Sequence, residues 1–314
     1  MNTFTLSILG CGSALPTTQH MPSAQALEIR GKLYLIDCGE GTQNQIRRYK
    51  LHFGRIHSIF ISHLHGDHCF GLPGLISTLG LLGRKGDLNI YGPQGIKEFL
   101  EPILSMFCER MDYKVNIITL TEQGKHPVFE DRSIKVYAFP LKHRIPTYGY
   151  LFEEKCVGLH LDKPSADFYN VPIAAYKNIL AGEDYITPEG EVIPNKRLTK
   201  EGACPMRYAY CSDTAFLPGL AEVINGVDLL YHEATFKNTE AARAKATYHS
   251  TAEQAAQIAK LCNVKNLLIG HYSARYIGCG DLLKEARAVF PQTTSADEGM
   301  VIDFRKLVTK STCH

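Results

Sequence analysis

Short apolar runs alternate with turns and with amphipathic stretches along the whole chain, a pattern typical of α/β proteins. No internal repeat or low-complexity tract interrupts it. The apolar runs predict strands over residues 5–9, 26–29, 33–36, 59–61, 88–91, 134–139, 148–152, 207–211, 229–231 and 266–269. Because strands occur in both halves of the chain with helical stretches between them, we expect sheets whose outer faces are covered by helices.

Four stretches with helical periodicity predict helices over residues 43–49, 95–107, 218–224 and 251–261. The last stretch is rich in alanine, and the run Ser250-Thr251-Ala252-Glu253 predicts a capping box at its start. The longest apolar stretch, residues 71–83, is broken by Pro73 and glycines and is too short to span a bilayer. We therefore expect no membrane-spanning segment.

The chain has 314 residues, of which 45% are hydrophobic and 21% charged, and this composition is ordinary for a soluble enzyme. Its first residues predict a strand and lack the basic leader of a secreted protein, so we expect a cytoplasmic protein. The net charge of +2 neither demands nor excludes a nucleic-acid partner, because local basic patches bind such partners.

One basic patch interleaved with aromatic residues lies between a predicted helix and the strand before residue 62. Its candidates for contacts with nucleic-acid phosphates are Arg47, Arg48 and Lys50. The alternative is a solvated helix end, where cations interact favourably with the helix dipole. The sequence of this segment alone leaves both interpretations open.

The run His63-Leu64-His65-Gly66-Asp67-His68 directly follows an apolar strand and contains four potential metal ligands. Imidazole and carboxylate together suit a cation such as zinc, and with Gly66 allowing a tight turn these side chains can face two neighbouring metals. Two adjacent ions turn water into a nucleophile and bind both oxygens of a phosphoryl displacement. A histidine-rich surface loop is the alternative, which the position at the end of a strand disfavours.

Three more potential ligands, His143, Asp213 and His271, each stand just beyond a predicted strand. Loops at strand ends are where α/β proteins bring polar side chains to a common point. Singly, such residues are more often satisfied histidines or capping aspartates. Together with the run from His63 to His68, they predict that seven ligands converge. Asp37 is expected to steady this loop through hydrogen bonds.

The run from His63 to His68 resembles the signature of the metallo-β-lactamase superfamily, and further segments resemble the ribonuclease Z family of tRNA 3′-processing endonucleases. These segments are DCGEGTQ at 37–43, HRIPTYGY at 143–150, CSDT at 211–214, HEATF at 232–236 and HSTA at 249–252. The resemblance covers essentially the whole chain. It implies a single domain over residues 1–314 with a four-layer αββα sandwich fold, and an inserted, protruding arm at about 153–204 that binds tRNA.

The resemblance also implies a role for each candidate residue. It implies that one zinc ion is bound by His63, His65 and His143, that a second is bound by Asp67, His68 and His271, and that Asp213 bridges the two ions. Asp67 would also accept the proton of the attacking water, while His249 would protonate the leaving 3′ oxygen and Glu233 would orient its imidazole. A structural role, with Glu233 capping backbone and His249 starting a helix, is the alternative for each.

The main hypothesis is a zinc-dependent endoribonuclease that removes 3′ trailers from precursor tRNA, leaving a tRNA 3′ hydroxyl and a 5′ phosphate on the trailer. The resemblance further implies a homodimer in which each arm serves the tRNA bound at the partner's active site. The first alternative is a metal-dependent phosphodiesterase acting on small esters. The second is an RNA-binding relative without turnover, which the complete set of ligands and the proton donor disfavour.

The sequence departs from the family pattern in two segments. Residues 153–204 contain six Lys/Arg against nine Asp/Glu and no recognisable glycine-proline tip. The remaining candidates there for contacts with phosphates are Lys177, Lys196, Arg197 and Lys200. The second departure is at residues 16–23, where many relatives have basic residues that help to sense the 3′ end of the RNA.

Overall fold

A computed structural model describes residues 3–108, 111–121, 126–156, 158–202 and 204–307. The chain forms two compact units: a larger one from the segments up to Glu153 and from Met206 onward, and a smaller one, Glu154–Pro205, inserted between them. Within the described ranges, no helix is both long and apolar enough to cross a membrane.

The secondary structure follows the chain in three segments. Before the insertion lie β1 (Phe4–Gly10), β2 (Gly12–Ser13), β3 (Ala24–Ile29), β4 (Lys32–Cys38), α1 (Thr42–Arg48), β5 (Ile56–Phe60), α2 (Gly66–Cys69), α3 (Leu72–Leu81), β6 (Leu88–Gly92), α4 (Ile96–Phe107), β7 (Val115–Thr119), β8 (Phe129–Glu130), β9 (Ile134–Pro140) and β10 (Tyr148–Glu154). The inserted unit contains β11 (His160–Leu161), α5 (Lys163–Phe168), α6 (Tyr176–Leu180), β12 (Tyr185–Ile186), β13 (Val192–Ile193), α7 (Asn195–Leu198) and β14 (Thr199–Lys200). After it come β15 (Arg207–Cys211), α8 (Ala221–Ile224), β16 (Leu229–Glu233), α9 (Ala241–Thr247), α10 (Ala252–Leu261), β17 (Leu267–Gly270), β18 (Tyr272–Ser273), α11 (Gly280–Val289), β19 (Thr293–Ser295), β20 (Val301–Asp303) and α12 (Phe304–Leu307).

Two mixed sheets, each seven-stranded within the described ranges, form the centre of the larger unit. The first has the order β20-β1-β3-β4-β5-β6-β7, antiparallel as far as β4 and parallel from β4 to β7. The second has the order β19-β17-β16-β15-β10-β9-β8, parallel from β19 to β15 and antiparallel between β15 and β10. All the strands predicted from the sequence lie in these two sheets, so that prediction is confirmed.

The two sheets face each other across aromatic side chains, and helices cover their outer faces. Phe60 of β5 lies 5.4 Å, between ring centroids, from both Tyr150 and Phe152 of β10. On the opposite face of β5, Ile59 belongs to a buried cluster that includes side chains of α1, α3 and α4. Helices α10 and α11 pack against each other, α10 against β16 and β17, and α11 against β19. This helix–sheet–sheet–helix order agrees with the αββα sandwich that the resemblance implies.

The inserted unit has a small apolar core of its own. It is formed by Ala166, Val171, Ile179, Ile193 and Leu198. Its strands form two short antiparallel pairs, β11 with β14 and β12 with β13. The two halves of this segment are therefore held together by the segment's own contacts.

The structure corrects one sequence expectation about a helix. The predicted capping box lies one residue later, because Thr251 Oγ1 accepts the Gln254 N–H at 3.2 Å and Gln254 Oε1 accepts the Thr251 N–H at 3.0 Å. Pro73, which interrupts the apolar stretch in the sequence, lies in the first turn of α3, where its missing N–H costs no hydrogen bond.

Candidate metal centre

The predicted ligands lie just beyond strand ends in both sheets. His63 follows β5, whereas Asp213 and His271 follow β15 and β17, the two parallel neighbours of β16. Glu233 is the last residue of β16. His143 comes from the connection between β9 and β10. Because parallel neighbours end at one edge of a sheet, residues from distant parts of the chain meet there.

The short helix α2 sets the direction of the ligands that follow His63. His65 is the N-cap of this helix, and Asp67 and His68 lie within it. Gly66 does not adopt the left-handed conformation of a tight turn. A Cβ atom at Gly66 would instead lie 2.4 Å from the ring of Phe70. The expectation of a glycine turn is therefore wrong, and a side chain at this position would require the exposed Phe70 ring to move.

The first group of ligands surrounds one point with ring nitrogens and a carboxylate oxygen. His65 Nδ1 lies 3.0 Å from His63 Nε2 and 3.3 Å from His143 Nε2. Asp213 Oδ2 lies 3.6 Å from His63 Nε2 and 3.9 Å from His143 Nε2. All four ligand atoms are within 4.8 Å of one another, so this group can hold one cation.

The second group lies on the other side of the Asp213 carboxylate. Asp67 Oδ2 is 3.3 Å from His68 Nε2 and 3.4 Å from His271 Nε2. The other oxygen of Asp213, Oδ1, lies 3.2 Å from His271 Nε2 and 3.5 Å from His68 Nε2. Asp213 therefore turns one oxygen to each group, the arrangement that a bridging ligand requires.

The outer nitrogen of four of these imidazoles is within hydrogen-bond distance of a fixed partner. The pairs are His63 with Ser62 Oγ at 3.0 Å, His68 with Asp37 Oδ2 at 2.7 Å, His143 with the Tyr248 carbonyl at 3.0 Å and His271 with Thr235 Oγ1 at 2.9 Å. Such partners fix the ring orientation and point the other nitrogen at a metal. Asp213 Oδ1 is buried and has no hydrogen-bond donor among the described residues. The donor set and this orphaned oxygen both fit divalent cations such as zinc.

The pKa shifts agree with a site that binds cations. Burial lowers the pKa values of His63, His65 and His143, and so favours the neutral rings that bind metals. Burial would also lower the pKa of His68, but the nearby carboxylates, Asp67 first, raise it. A cation beside this ring would satisfy the same carboxylates that favour the proton.

Asp37 lies behind the ligands, where hydrogen bonds hold it. Its carboxylate accepts the Ser62 N–H at 2.7 Å, the Ser62 hydroxyl at 2.9 Å and the Tyr210 hydroxyl at 2.6 Å, besides its contact with His68. Asp37 and His271 both have left-handed backbone conformations, with φ of 56° and 63°. Non-glycine residues persist in this strained region only where the surroundings hold them. Asp37 thus joins the metal loop to both sheets.

Buried Glu233 and partly buried His249 form an ion pair beside the ligands. Glu233 Oε1 is 2.9 Å from His249 Nδ1 and also accepts the N–H groups of Thr214 and Ser250. Burial would raise the pKa of Glu233, but the charge of His249 lowers it to about 2. Burial would lower the pKa of His249, but the charge of Glu233 raises it to about 9. His249 therefore carries a proton at neutral pH, with Nδ1 facing Glu233.

A cavity of about 580 Å³ opens over the metal ligands. Residues 13–22 form one wall of this cavity through Ser13, Ala14, Pro16 and Pro22, and Arg144 and Thr247 lie at other parts of its lining. It is lined by ligands of both groups: His65, Asp67, His143, Asp213 and His271, together with His249.

His249 is surrounded by basic side chains that the sequence did not indicate as candidates. Two further cavities, of about 400 and 450 Å³, also reach His249. They are lined by Arg243 and Arg275 in the first and by Lys142 and Lys245 in the second. With Arg144 they place positive charge around the imidazole, as binding of a phosphodiester backbone requires. Lys142 and Arg144 flank His143, so the HRIPTYGY segment was a signal that could have identified them.

The predicted RNA-binding residues lie elsewhere. Arg47 and Arg48 end α1, where their guanidinium groups lie 5.5 Å from the Phe53 ring centroid and 5.9 Å from that of Tyr49. Among the described residues, the three cavities that reach His249 are lined by none of Arg47, Arg48 and Lys50.

The other four predicted RNA-binding residues lie in the inserted unit. Lys177, Lys196 and Arg197 are exposed to solvent. Lys200 is exposed too, but its ammonium lies 2.8 Å from the Asp162 carboxylate. Three of the four cations therefore remain as the stronger candidates for contacts with phosphates.

The chain is similar to known proteins over almost its full length. The family model described as Anti-Pycsar protein Apyc1 matches residues 4–166. Ribonuclease Z of Porphyromonas gingivalis strain W83 is 60% identical over 303 residues, which cover 96% of this chain and 100% of that protein. The structure of human tRNase Z, short form, has 29% identity and a TM-score of 0.68 over 96% of this chain and 99% of that chain. The metallo-β-lactamase fold protein YhfI of Bacillus subtilis, 17% identical, has a TM-score of 0.68 over 96% and 99% of the two chains and shows the fold alone.

Proposed function

The chain belongs to the ribonuclease Z family of metal-dependent endoribonucleases of tRNA 3′ processing, and we propose that it removes the 3′ trailer of precursor tRNA in one hydrolytic cut. The proposed products are a tRNA with a 3′ hydroxyl and a trailer with a 5′ phosphate. Residues 4–166 also belong to the domain family of the Apyc1 model, which covers the metal loop but ends before Asp213 and His271. The proposal is carried by one observation: ligands from both halves of the chain meet beside the Glu233–His249 pair.

We infer that the site binds two zinc ions. One would be bound by His63, His65 and His143, the other by Asp67, His68 and His271, and Asp213 would contact both. When bound, two such ions lower the pKa of a shared water and neutralise charge that develops on the phosphate. Asp67 is the proposed acceptor of the proton that this water loses.

His249 is the proposed donor of a proton to the departing 3′ oxygen. An unprotonated 3′ alkoxide leaves poorly, so a positioned acid accelerates this step. Glu233 occupies the Nδ1 side of the ring, and Nε2 is then the atom that can donate to the substrate. The cations around His249 would bind the phosphates that flank the scissile bond.

A precursor tRNA with a trailer of defined length tests the function directly. The zinc-loaded protein should cut it at the 3′ end of the tRNA, and elemental analysis should find about two metals per chain. Mapping both ends should show the 3′ hydroxyl and the 5′ phosphate. Turnover of cyclic nucleotides or bis(p-nitrophenyl) phosphate without cleavage of precursor tRNA would support the small-ester phosphodiesterase instead. Binding of RNA without any turnover would support the non-catalytic relative.

We infer that the inserted unit, Glu154–Pro205, is the protruding tRNA-binding arm. The exposed Lys177, Lys196 and Arg197 support this role. Reversing all three charges to glutamate should weaken binding of precursor tRNA, because each phosphate contact that is lost reduces the number of counterions released on binding. The slope of log affinity against log salt concentration should fall in magnitude by roughly two to three. Hydrolysis of bis(p-nitrophenyl) phosphate should not change.

A matched variant controls for net charge. Lys97, Lys260 and Lys284 are exposed on α4, α10 and α11 of the larger unit, and their reversal changes the total charge equally. Equal loss of tRNA affinity in both triple variants would contradict a specific role of the inserted unit.

We further infer a homodimer that acts in the cytoplasm, where precursor tRNA is expected. Apolar side chains exposed at the ends of α3 and α4 support the dimer: Leu81, Leu82, Met106 and Phe107. Large apolar side chains exposed in this way are suited to burial against a second subunit. The mass of the purified protein in solution tests this inference, and a monomer at all concentrations would exclude it.

A further inference from the structure

Residues 12–22 contact the metal centre directly. The N–H of Ala14 donates to Asp67 Oδ2 at 2.8 Å, and this oxygen is the one that faces His68 and His271. Ala14 has a left-handed backbone conformation, with φ of 53°. A non-glycine residue keeps such a conformation only where its surroundings hold the chain. Some contact must therefore fix this segment.

Glu298 joins the two ends of this segment. Its Oε1 accepts the N–H of Cys11 at 3.2 Å, just before the segment, and the N–H of Met21 at 2.8 Å, near its end. Its Oε2 lies 2.9 Å from His20 Nδ1. One partly buried carboxylate thus holds three groups of a single loop.

The turn that carries Glu298 is itself bound to both sheets. The Gly299 N–H donates to the Ile8 carbonyl of β1 at 2.9 Å, and the Ala296 N–H donates to the Ile269 carbonyl of β17 at 2.8 Å. β17 directly precedes His271. The carboxylate of Glu298 is therefore fixed relative to the strands that present the ligands.

We propose that Glu298 is a positioning residue for the metal centre: it fixes residues 12–22 so that the Ala14 N–H bonds the metal-facing oxygen of Asp67. The inference rests on the proposed role of Asp67 as a ligand. Hydrogen bonds to a ligating carboxylate orient it, and their loss typically weakens metal binding by about 10- to 100-fold. Glu298 acts on this bond through the loop and does not contact the ligand.

A second metal site at Cys11, His20 and Glu298 is the competing interpretation of this cluster. The Cys11 sulfur lies 3.5 Å from both His20 Nδ1 and Glu298 Oε1. However, both oxygens of Glu298 already have N–H partners, and the Cys11 thiol also reaches the Ala296 carbonyl at 3.6 Å. A cation there would have to replace these bonds, whereas Asp213 Oδ1 in the main site has no donor to lose. These contacts favour the interpretation that Glu298 holds the loop over the interpretation that it binds a metal.

Zinc affinity, measured by competition with a chelator, tests the proposal without relying on activity. Glu298→Ala should bind zinc about 10- to 100-fold more weakly than the wild type. Glu298→Gln should bind zinc nearly as well, because its amide oxygen still accepts both backbone N–H groups. Asp131→Ala is the matched control, since Asp131 also accepts two N–H groups of one loop, those of Ser133 and Ile134, but that loop does not line the cavity over the ligands as residues 12–22 do. Its zinc affinity should not change.

The outcomes separate this inference from the proposed function. Equal zinc affinity of the wild type and Glu298→Ala, at a temperature where both are folded, would overturn the inference alone. An equal loss of zinc affinity in Asp131→Ala would also overturn it, because a general destabilisation of the fold would then explain the effect. A wild type without affinity for zinc would overturn the proposed function and the inference with it. If Glu298→Ala does not fold, Glu298→Asp takes its place. The shorter side chain keeps the negative charge but moves the carboxylate away from the N–H groups of the loop. The same outcomes then apply.

Discussion

Replacing Asp213 with alanine should abolish cleavage of precursor tRNA and strip the purified protein of metal. Asp213 turns one carboxylate oxygen to each group of histidines, so its loss removes a ligand from both proposed ions. Loss of a partner that only supports a ligand already costs about 10- to 100-fold in affinity or activity, and loss of a shared ligand should cost more. Metal content should fall from about two per chain to less than one. Elemental analysis and single-turnover cleavage measure both effects.

The fold should survive this substitution. Asp213 Oδ1 is buried without a hydrogen-bond donor, so the metal-free protein loses little when the carboxylate is removed. Asp228 provides the matched control, because it is also buried and lies just before β16, where it accepts the Arg207 N–H at 2.7 Å and the Lys265 ammonium at 2.7 Å. Asp228→Ala should lower the thermal midpoint and keep the metals. Cleavage and two metals retained in Asp213→Ala would end its assignment as a bridge.

Replacing His249 with alanine should lower kcat for precursor tRNA by about 10²- to 10⁴-fold while both metals stay bound. The loss should depend on the leaving group. A p-nitrophenolate leaves without a proton, so hydrolysis of bis(p-nitrophenyl) phosphate should change little. His126→Ala, which alters an exposed histidine outside the basic patch, should leave both substrates unaffected. An equal loss of rate on both substrates would contradict the role of His249 as a proton donor.

The pH dependence of the cleavage rate should report the protonation of His249. Glu233 raises the pKa of His249 to about 9, so the acid is present at neutral pH and is lost as the pH rises through that value. The wild-type rate on precursor tRNA should therefore fall at alkaline pH, and this limb should vanish in His249→Ala. Glu233→Gln removes the charge that favours the imidazolium, so the limb should move to lower pH. An unmoved limb would show that Glu233 does not set this pKa.

The sequence by itself determined the identity of the candidate ligands and ten of the fourteen strands that the two sheets have in the described ranges. Its pattern does not predict β7, β8, β19 and β20. Strand positions follow from the local alternation of apolar residues, which needs no knowledge of distant partners. The ligands from His63 to His68 are neighbours in the chain, and His143, Asp213 and His271 are placed by the strands before them. Most of the ligands could therefore be predicted from their positions along the chain, without knowledge of the fold.

Only the tertiary structure decided how these residues are held. The partners Asp67 and Ala14 are 53 positions apart in the chain, and Glu298 and Cys11 are 287 apart. Periodicity assigns a residue to a face of a strand or helix, but not the side chain that will oppose it, which depends on how the two sheets stack. The cations around His249 arise from the same packing, because local sequence does not encode contacts between loops that are distant in the chain.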